Sequence, residues 1–207
     1  MLSLYKIKQK ILFKWFRFKM IFWYKRFFKH IGNHCIILKP TLITPESITM
    51  GNRVYISWRA RIEGVKQYQS NFFSPEIILK DGVSIQQNIH LTCAEYIEIG
   101  KNTAIAANVS ITDIHHPYEN VDIPIEQQEI TTKPVFIGEN CKIYNNAVIM
   151  QGTKIGKHCT IGANSVVSGE FGDFCVIVGA PAKIVKRYSS DRQAWLKTDD
   201  KGNFIEI

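Results

Sequence analysis

The chain has 207 residues, 45% of them hydrophobic and 21% charged, with a formal net charge of +8. That length suits one domain with an appendage and a full buried core, and the composition is that of an ordinary globular protein rather than a disordered one. Cys35, Cys93, Cys141, Cys159 and Cys175 form no CxxC pair and no metal-ligand spacing, which argues against a disulfide framework and a zinc site and fits a reducing cytoplasm.

The charge is concentrated at the start. Residues 1–30 hold nine basic side chains (Lys6, Lys8, Lys10, Lys14, Arg17, Lys19, Lys25, Arg26 and Lys29) and no acid. Taking these nine from the 26 Lys and Arg leaves 17 against 18 acids, so the rest of the chain is near neutral and offers no basic surface for nucleic acid. No apolar run approaches the ~20 residues of a membrane span. Met20 to Tyr24 is also shorter than the roughly 7–15 residues of a signal-peptide core, so the expected location is cytoplasmic. Ile7, Ile11, Trp15, Phe18 and Phe22 recur at helical spacing with Lys and Arg beside them. A basic, Trp- and Phe-rich amphipathic helix is the pattern of a binder of anionic membrane surface, here the cytoplasmic face of the inner membrane. Packing of the helix on its own oligomer is the alternative.

A six-residue period follows. Met50, Ile56 and Ile62 form one set, Leu79, Ile85 and Leu91 a second, and Ile99, Ile105 and Ile111 a third. After a gap the period runs unbroken through Ile137, Ile143, Ile149, Ile155, Ile161 and Val167, with a small or β-branched residue two places before each: Val135, Cys141, Ala147, Thr153, Cys159 and Ser165. Such a period matches neither a 3.6-residue helix nor a hairpin strand. It fits a triangular parallel β-helix, an all-β prism over 31–188 with one short strand per hexapeptide and three hexapeptides per coil. The aliphatic residue points inward and stacks on its equivalent one coil away. The second inward position must be small, so Cys141 and Cys159 are expected to stack as buried small residues. The turns favour Gly and Asn, which tolerate left-handed backbone angles.

Ile111 and Ile137 do not differ by a multiple of six, so residues 112–134 must leave the prism. The segment carries Pro117, Pro124 and Pro134, the PIEQQ run from Pro124 to Gln128, and the adjacent pair His115–His116. Loops this long inside compact domains usually carry function. A second departure, Val65 to Glu76, is polar and aromatic, and sequence assigns it no role. After the period ends, residues 189–207 are expected to form a short C-terminal helix or tail.

IGENCKIYNNAVIMQGTKIGKHCTIGANSVVSGEFGDFCVIVGAPAKIVK, together with the break and its histidines, resembles the hexapeptide-repeat acyltransferases, and most of all the bacterial O-acetyltransferases that decorate sugars in lipopolysaccharide, capsule and exopolysaccharide. The resemblance covers roughly residues 32–188. It implies a left-handed β-helix, a homotrimer with active sites between subunits, acetyl-CoA as co-substrate with no metal, and a sugar or glycan hydroxyl as acceptor. In that family a catalytic histidine projects from the extruded loop, commonly before a proline, which points here to His116 ahead of His115. A histidine suits a base that takes a hydroxyl proton near neutrality. Asp113 or Glu119 would orient the imidazole.

The resemblance also places Asn88, next to Gln87 and His90, on the acceptor or the developing oxyanion, with Tyr118 nearby; a turn asparagine is the plain alternative for Asn88. Asn145, Ala163 and Ser168 align with pantetheine contacts, and Lys183 and Lys186 with residues that meet the nucleotide phosphates. GAPAK, Gly179 to Lys183, closes the prism. Lys142 and Tyr144 stand where the family commonly has Trp and Gly, near the expected cleft. Three other functions compete: a small-molecule acetyltransferase on free sugars or an antibiotic, a γ-carbonic anhydrase, and a non-catalytic scaffold. The anhydrase needs three zinc-binding histidines, and His90 with the His115–His116 pair does not reproduce that spacing.

Overall fold

The computed structural model describes residues 4–22, 24–199 and 202–205. A helix, Leu4–Phe22, precedes a left-handed parallel β-helix of triangular section. Three parallel sheets form its faces. The first runs through strands His30–Ile31, Ile48–Met50, Glu76–Leu79, Tyr96–Ile99, Val135–Ile137, Lys154–Ile155 and Glu170–Phe171. The second runs from Ile36–Ile37 through Tyr55–Ile56, Ser84–Ile85, Ala104–Ile105, Lys142–Ile143 and Thr160–Ile161 to Cys175–Gly179. The third comprises Leu42–Ile43, Arg61–Gly64, His90–Cys93, Ser110–Thr112, Val148–Ile149 and Val166–Val167.

Register explains the period. On the second face Ile37, Ile56, Ile85, Ile105, Ile143, Ile161 and Ile177 pair in one column, and every one is buried. The first face stacks Met50, Leu79, Ile99, Ile137 and Ile155, and the third Ile62, Leu91, Ile111, Ile149 and Val167. Each strand is only two to five residues long within the prism because the chain must turn a corner every hexapeptide. The small inward positions stack as expected: Cys159 N–H lies 3.4 Å from Cys141 Sγ, and Cys175 N–H 3.4 Å from Cys159 Sγ. All five cysteines are free and buried. Burial of each aliphatic side chain contributes roughly 1.5–3 kcal/mol, so the columns are what holds the prism.

The corner between the second and third faces needs a left-handed residue. Asn88, Asn108, Asn146 and Asn164 hold φ of 59°, 60°, 61° and 58°. Their side-chain amides run up the corner as a ladder, each donating to the next at 2.9, 3.1 and 3.0 Å. The corner between the third and first faces is different, because there alone the spacing changes. Both insertions, from Ile62 to Leu79 and from Ile111 to Ile137, leave the prism at that edge.

Among the described residues of 189–207 the expected helix is not formed, and Ala194–Lys197 is a strand. Ala182–Ser189 turns back antiparallel on Cys175–Gly179, and Ala194–Lys197 pairs with it in turn. Ile184, Val185 and Tyr188 lie in a β-branched and aromatic run suited to strands. This hairpin covers the edge left by the last prism strand on the second face. His158, Phe174, Tyr188 and Trp195 stack along it.

Candidate active site

The long insertion is tied at its base. Ile114–His115 pairs antiparallel with Thr131–Thr132, Lys133 N–H donates to Asp113 O, and Gly152 N–H to Lys133 O, each at 2.9 Å. Thr132 Oγ1 donates to Glu95 Oε2 at 2.7 Å. His115 and His116 therefore sit on a short two-stranded stalk. They point to different neighbours: the His115 ring meets Tyr118 edge-on at 5.9 Å, and the His116 ring meets Tyr68 edge-on at 5.3 Å.

His116 overhangs a cleft of about 650 Å³ on the outside of the third face. Its floor is made by Arg61, Glu63, His90, Thr92, Ser110 and Thr112, and its walls by Tyr68, Ile114, His116 and Ile130. Floor residues alternate with the inward column, as strand geometry requires. Arg61 and Glu63 form an ion pair on one strand, and Thr92 Oγ1 bonds Thr112 Oγ1 at 3.0 Å. His116 Nδ1 is buried and has no hydrogen-bond partner among the described residues, an uncommon state for a buried polar atom. Nδ1 is closed to solvent, so what suits His116 to take a proton from a bound hydroxyl is the place of its ring in the cleft wall.

The second insertion, which sequence left without a role, forms the other wall. Gln67–Tyr68 and Asn71–Phe72 make a small hairpin that clasps the longer loop. Tyr68 Oη donates to Glu126 O at 2.9 Å and lies 3.0 Å from Glu126 Oε2. Gln69 Nε2 donates to Glu126 O at 2.8 Å, and Ser70 N–H to Glu129 Oε1 at 3.1 Å. Desolvation, and then the Glu126 carboxylate, raise the Tyr68 phenol above its ordinary range, so it remains a donor. Sequence reasoning missed Tyr68, Arg61 and Glu63. Counting the prism edge from which each loop departs would have brought the two insertions together.

Two predicted roles change. Asp113 is fully buried and does not reach either imidazole. Its carboxylate accepts from Ala94, Glu95 and Tyr96 N–H groups, each at 2.8 Å, and from Cys93 Sγ at 3.3 Å. It holds the irregular corner between Cys93 and Tyr96. Burial pushes its carboxyl upward against the pull of those amide bonds. Burial, and then the Asp113 charge, push the Cys93 thiol well above its usual range. Glu119 accepts from Tyr118 N–H at 2.9 Å, within its own exposed loop. Asn88 serves the corner ladder described above and is absent from the cleft lining, whereas His90 lies on the floor. Tyr118 is exposed beside His115.

The expected acyl-donor residues lie outside the cleft lining, at separate places on the prism. Asn145 and Ala163 are exposed on consecutive coils at the corner between the second and third faces, and Ser168 is exposed just past the third-face strand Val166–Val167. Lys183 and Lys186 are exposed on Ala182–Ser189, along the second sheet. Lys142 Nζ stands 5.5 Å over the Tyr144 ring. This pair faces outward from the second face beside Asn145, so it adjoins the expected donor track rather than the acceptor cleft. In one chain, then, His116 leaves from one edge of the prism and Asn145 and Ala163 from another. Among the described residues no three His, Cys, Asp or Glu side chains gather as a metal-binding group.

The bacterial transferase hexapeptide model, of six repeats, matches residues 134–169. A putative lipopolysaccharide biosynthesis O-acetyl transferase of Escherichia coli K12 is 34% identical over 128 residues, covering 58% of this chain and 65% of that protein. A probable acetyltransferase of Mycobacterium tuberculosis is 39% identical over 90 residues, 44% of this chain and 30% of that protein. The matches thus span less than two thirds of these two relatives. A galactoside O-acetyltransferase of Lactococcus lactis is 26% identical over 88% of this chain and 73% of its own. Among solved structures, a galactoside acetyltransferase in complex with coenzyme A aligns with a TM-score of 0.55 and 20% identity, over 97% of this chain and 88% of that one. Structural likeness at that identity concerns the fold.

Proposed function

From a chain that carries the bacterial transferase hexapeptide repeat, we propose an acetyl-CoA-dependent O-acetyltransferase whose acceptor is a sugar hydroxyl of a surface glycan or its lipid-linked precursor. The observation that carries this reading is His116: an imidazole in the wall of a cleft floored by Arg61, Glu63, His90 and Thr92, on the longer of the two breaks in the repeat. The acceptor lies in the cleft between Tyr68 and the third face. As its oxygen attacks the thioester carbonyl, His116 takes the hydroxyl proton. When the tetrahedral intermediate collapses, the C–S bond breaks and the thiolate leaves with that proton, giving an O-acetyl ester and free CoA. His115 faces Tyr118 and serves the stalk rather than the proton transfer.

The donor would follow Asn145, Ala163 and Ser168, with Lys183 and Lys186 meeting its phosphates. Because Asn145 and Ala163 occupy a different prism edge from His116, the reading calls for a homotrimer in which a neighbour's donor residues meet this cleft. The cleft with its overhanging histidine is what favours O-acetyl transfer over the scaffold alternative. Transfer to a free sugar uses the same cleft and differs only in the acceptor. The test is a comparison of surface polysaccharide from cells with and without the gene by NMR. Loss of O-acetyl signals supports the glycan acceptor. Unchanged signals, with purified protein still acetylating small sugars, would move the reading to a small-molecule enzyme.

A further inference from the structure

The helix Leu4–Phe22 has two apolar faces, and the prism uses only one. Leu12, Phe13 and Phe16 pack on Ile36, Leu38, Tyr55 and Trp58, with Phe16 edge-on to Trp58 at 5.9 Å and Phe13 stacked on Tyr55 at 6.4 Å. That contact fixes the helix against the second face at the start of the prism. On the other side Leu4, Ile7, Ile11, Trp15, Phe18 and Phe22 form a continuous exposed stripe, with exposures of 86%, 44%, 63%, 53%, 52% and 62%. Its spacing of three and four residues keeps all six on one side of the helix. Trp15, Phe18 and Phe22 stack on one another rather than on the body. A contiguous apolar patch of this kind marks an interaction surface.

We infer that this stripe is the face by which the protein lies on an anionic lipid bilayer. Two observations favour lipid over a second copy of the chain. Lys8 and Lys19 border the stripe, and the region before Glu46 contains no acid at all, so the helix meets any partner with uniformly positive charge. A second copy would bring the same positive helix or a near-neutral body, whereas anionic headgroups complement it. The stripe also has the chemistry of an in-plane helix: aromatic and aliphatic side chains for the acyl boundary, flanked by lysines long enough to reach headgroups. No helix among the described residues is long and apolar enough to cross the membrane, so contact by this helix is superficial. Trp58, against which the helix packs, lies on the same coil as Arg61 and Glu63 of the cleft floor. Lipid contact would therefore hold the cleft near the bilayer surface. The inference does not rest on the transfer reaction.

The test uses the full chain, pelleted with vesicles of phosphatidylcholine alone or with about a third phosphatidylglycerol. Wild-type protein is expected to sediment with the anionic vesicles, and to be released by high salt. An Ile11→Glu/Phe18→Glu variant is expected to lose at least about tenfold in partitioning. A Lys8→Gln/Lys14→Gln/Lys19→Gln variant is expected to lose the preference for anionic lipid. Both variants should keep the melting temperature and solution mass of wild type, since neither changes a side chain packed on the body. Equal pelleting of Ile11→Glu/Phe18→Glu and wild type would overturn the inference. So would a fall in its solution mass, which would assign the stripe to a second copy.

Discussion

The coils from 135 to 167 and those from 48 to 134 are built from one hexapeptide, yet they differ at a single edge. In the upper coils the third-to-first corner is short, and Ile149 is followed by Ile155 with the same spacing as at the other corners. In the lower coils that corner opens twice, and both insertions meet over the third face, where the cleft lies. The comparison shows how a repeat fold divides its labour. The inward columns tolerate no irregularity, since every side chain must stack on its equivalent, so the cleft forms at a corner, where extra residues cost little loop-closure entropy.

Breaking a column on each side sharpens that division. Ile143→Ala, in the regular half, should cost about 2–5 kcal/mol of stability, read as a lowered denaturant midpoint, while transfer per folded molecule is retained. Ile111→Ala, which sits beneath the cleft, should cost the same stability and lower transfer as well. Equal activity in both would show that column and loop are uncoupled.

Asp113 belongs to the irregular half but acts on stability. Asp113→Asn turns one end of the side chain into a donor facing the N–H groups of residues 94–96. It should cost about 1–3 kcal/mol for each group left without an acceptor, again read by denaturation. A stable variant with specifically lost transfer would instead make Asp113 a partner of the catalytic imidazole. The smallest effect is expected at the clasp. Tyr68→Phe keeps the ring against His116 and removes only the bonds to Glu126, so KM for the acceptor should rise by roughly three- to tenfold, the worth of about one hydrogen bond, with kcat little changed.

The prism was legible because its constraint is local and periodic: Ile137 through Val167 declare the inward column without any knowledge of what they touch. The histidine pair was legible as an interruption of that count. Asn88 was harder, because a ladder asparagine and a substrate-binding asparagine look alike until Asn108, Asn146 and Asn164 are seen stacked on it. Asp113 misled because its nearness in sequence to His115 and His116 stands in for no spatial contact; its partners are the amides of Ala94, Glu95 and Tyr96, one coil below. Tyr68 was invisible because its contacts with Glu126 and His116 join two loops far apart in the chain. Within 189–207 the strand Ala194–Lys197 stands where a helix was expected, because Ala182–Ser189, itself paired on the Cys175–Gly179 edge, offers it an open strand partner.

The central claim is that His116, not His115, takes the acceptor proton. It is tested most directly by initial rates of acetyl-CoA-dependent ester formation in His116→Ala and His115→Ala, with melting temperatures measured alongside. The account predicts a loss of about 10²–10⁴-fold in kcat/KM for His116→Ala, less than about tenfold for His115→Ala, and unchanged melting temperatures in both. A His116→Ala enzyme that keeps the wild-type rate, or a loss confined to His115→Ala, would contradict it.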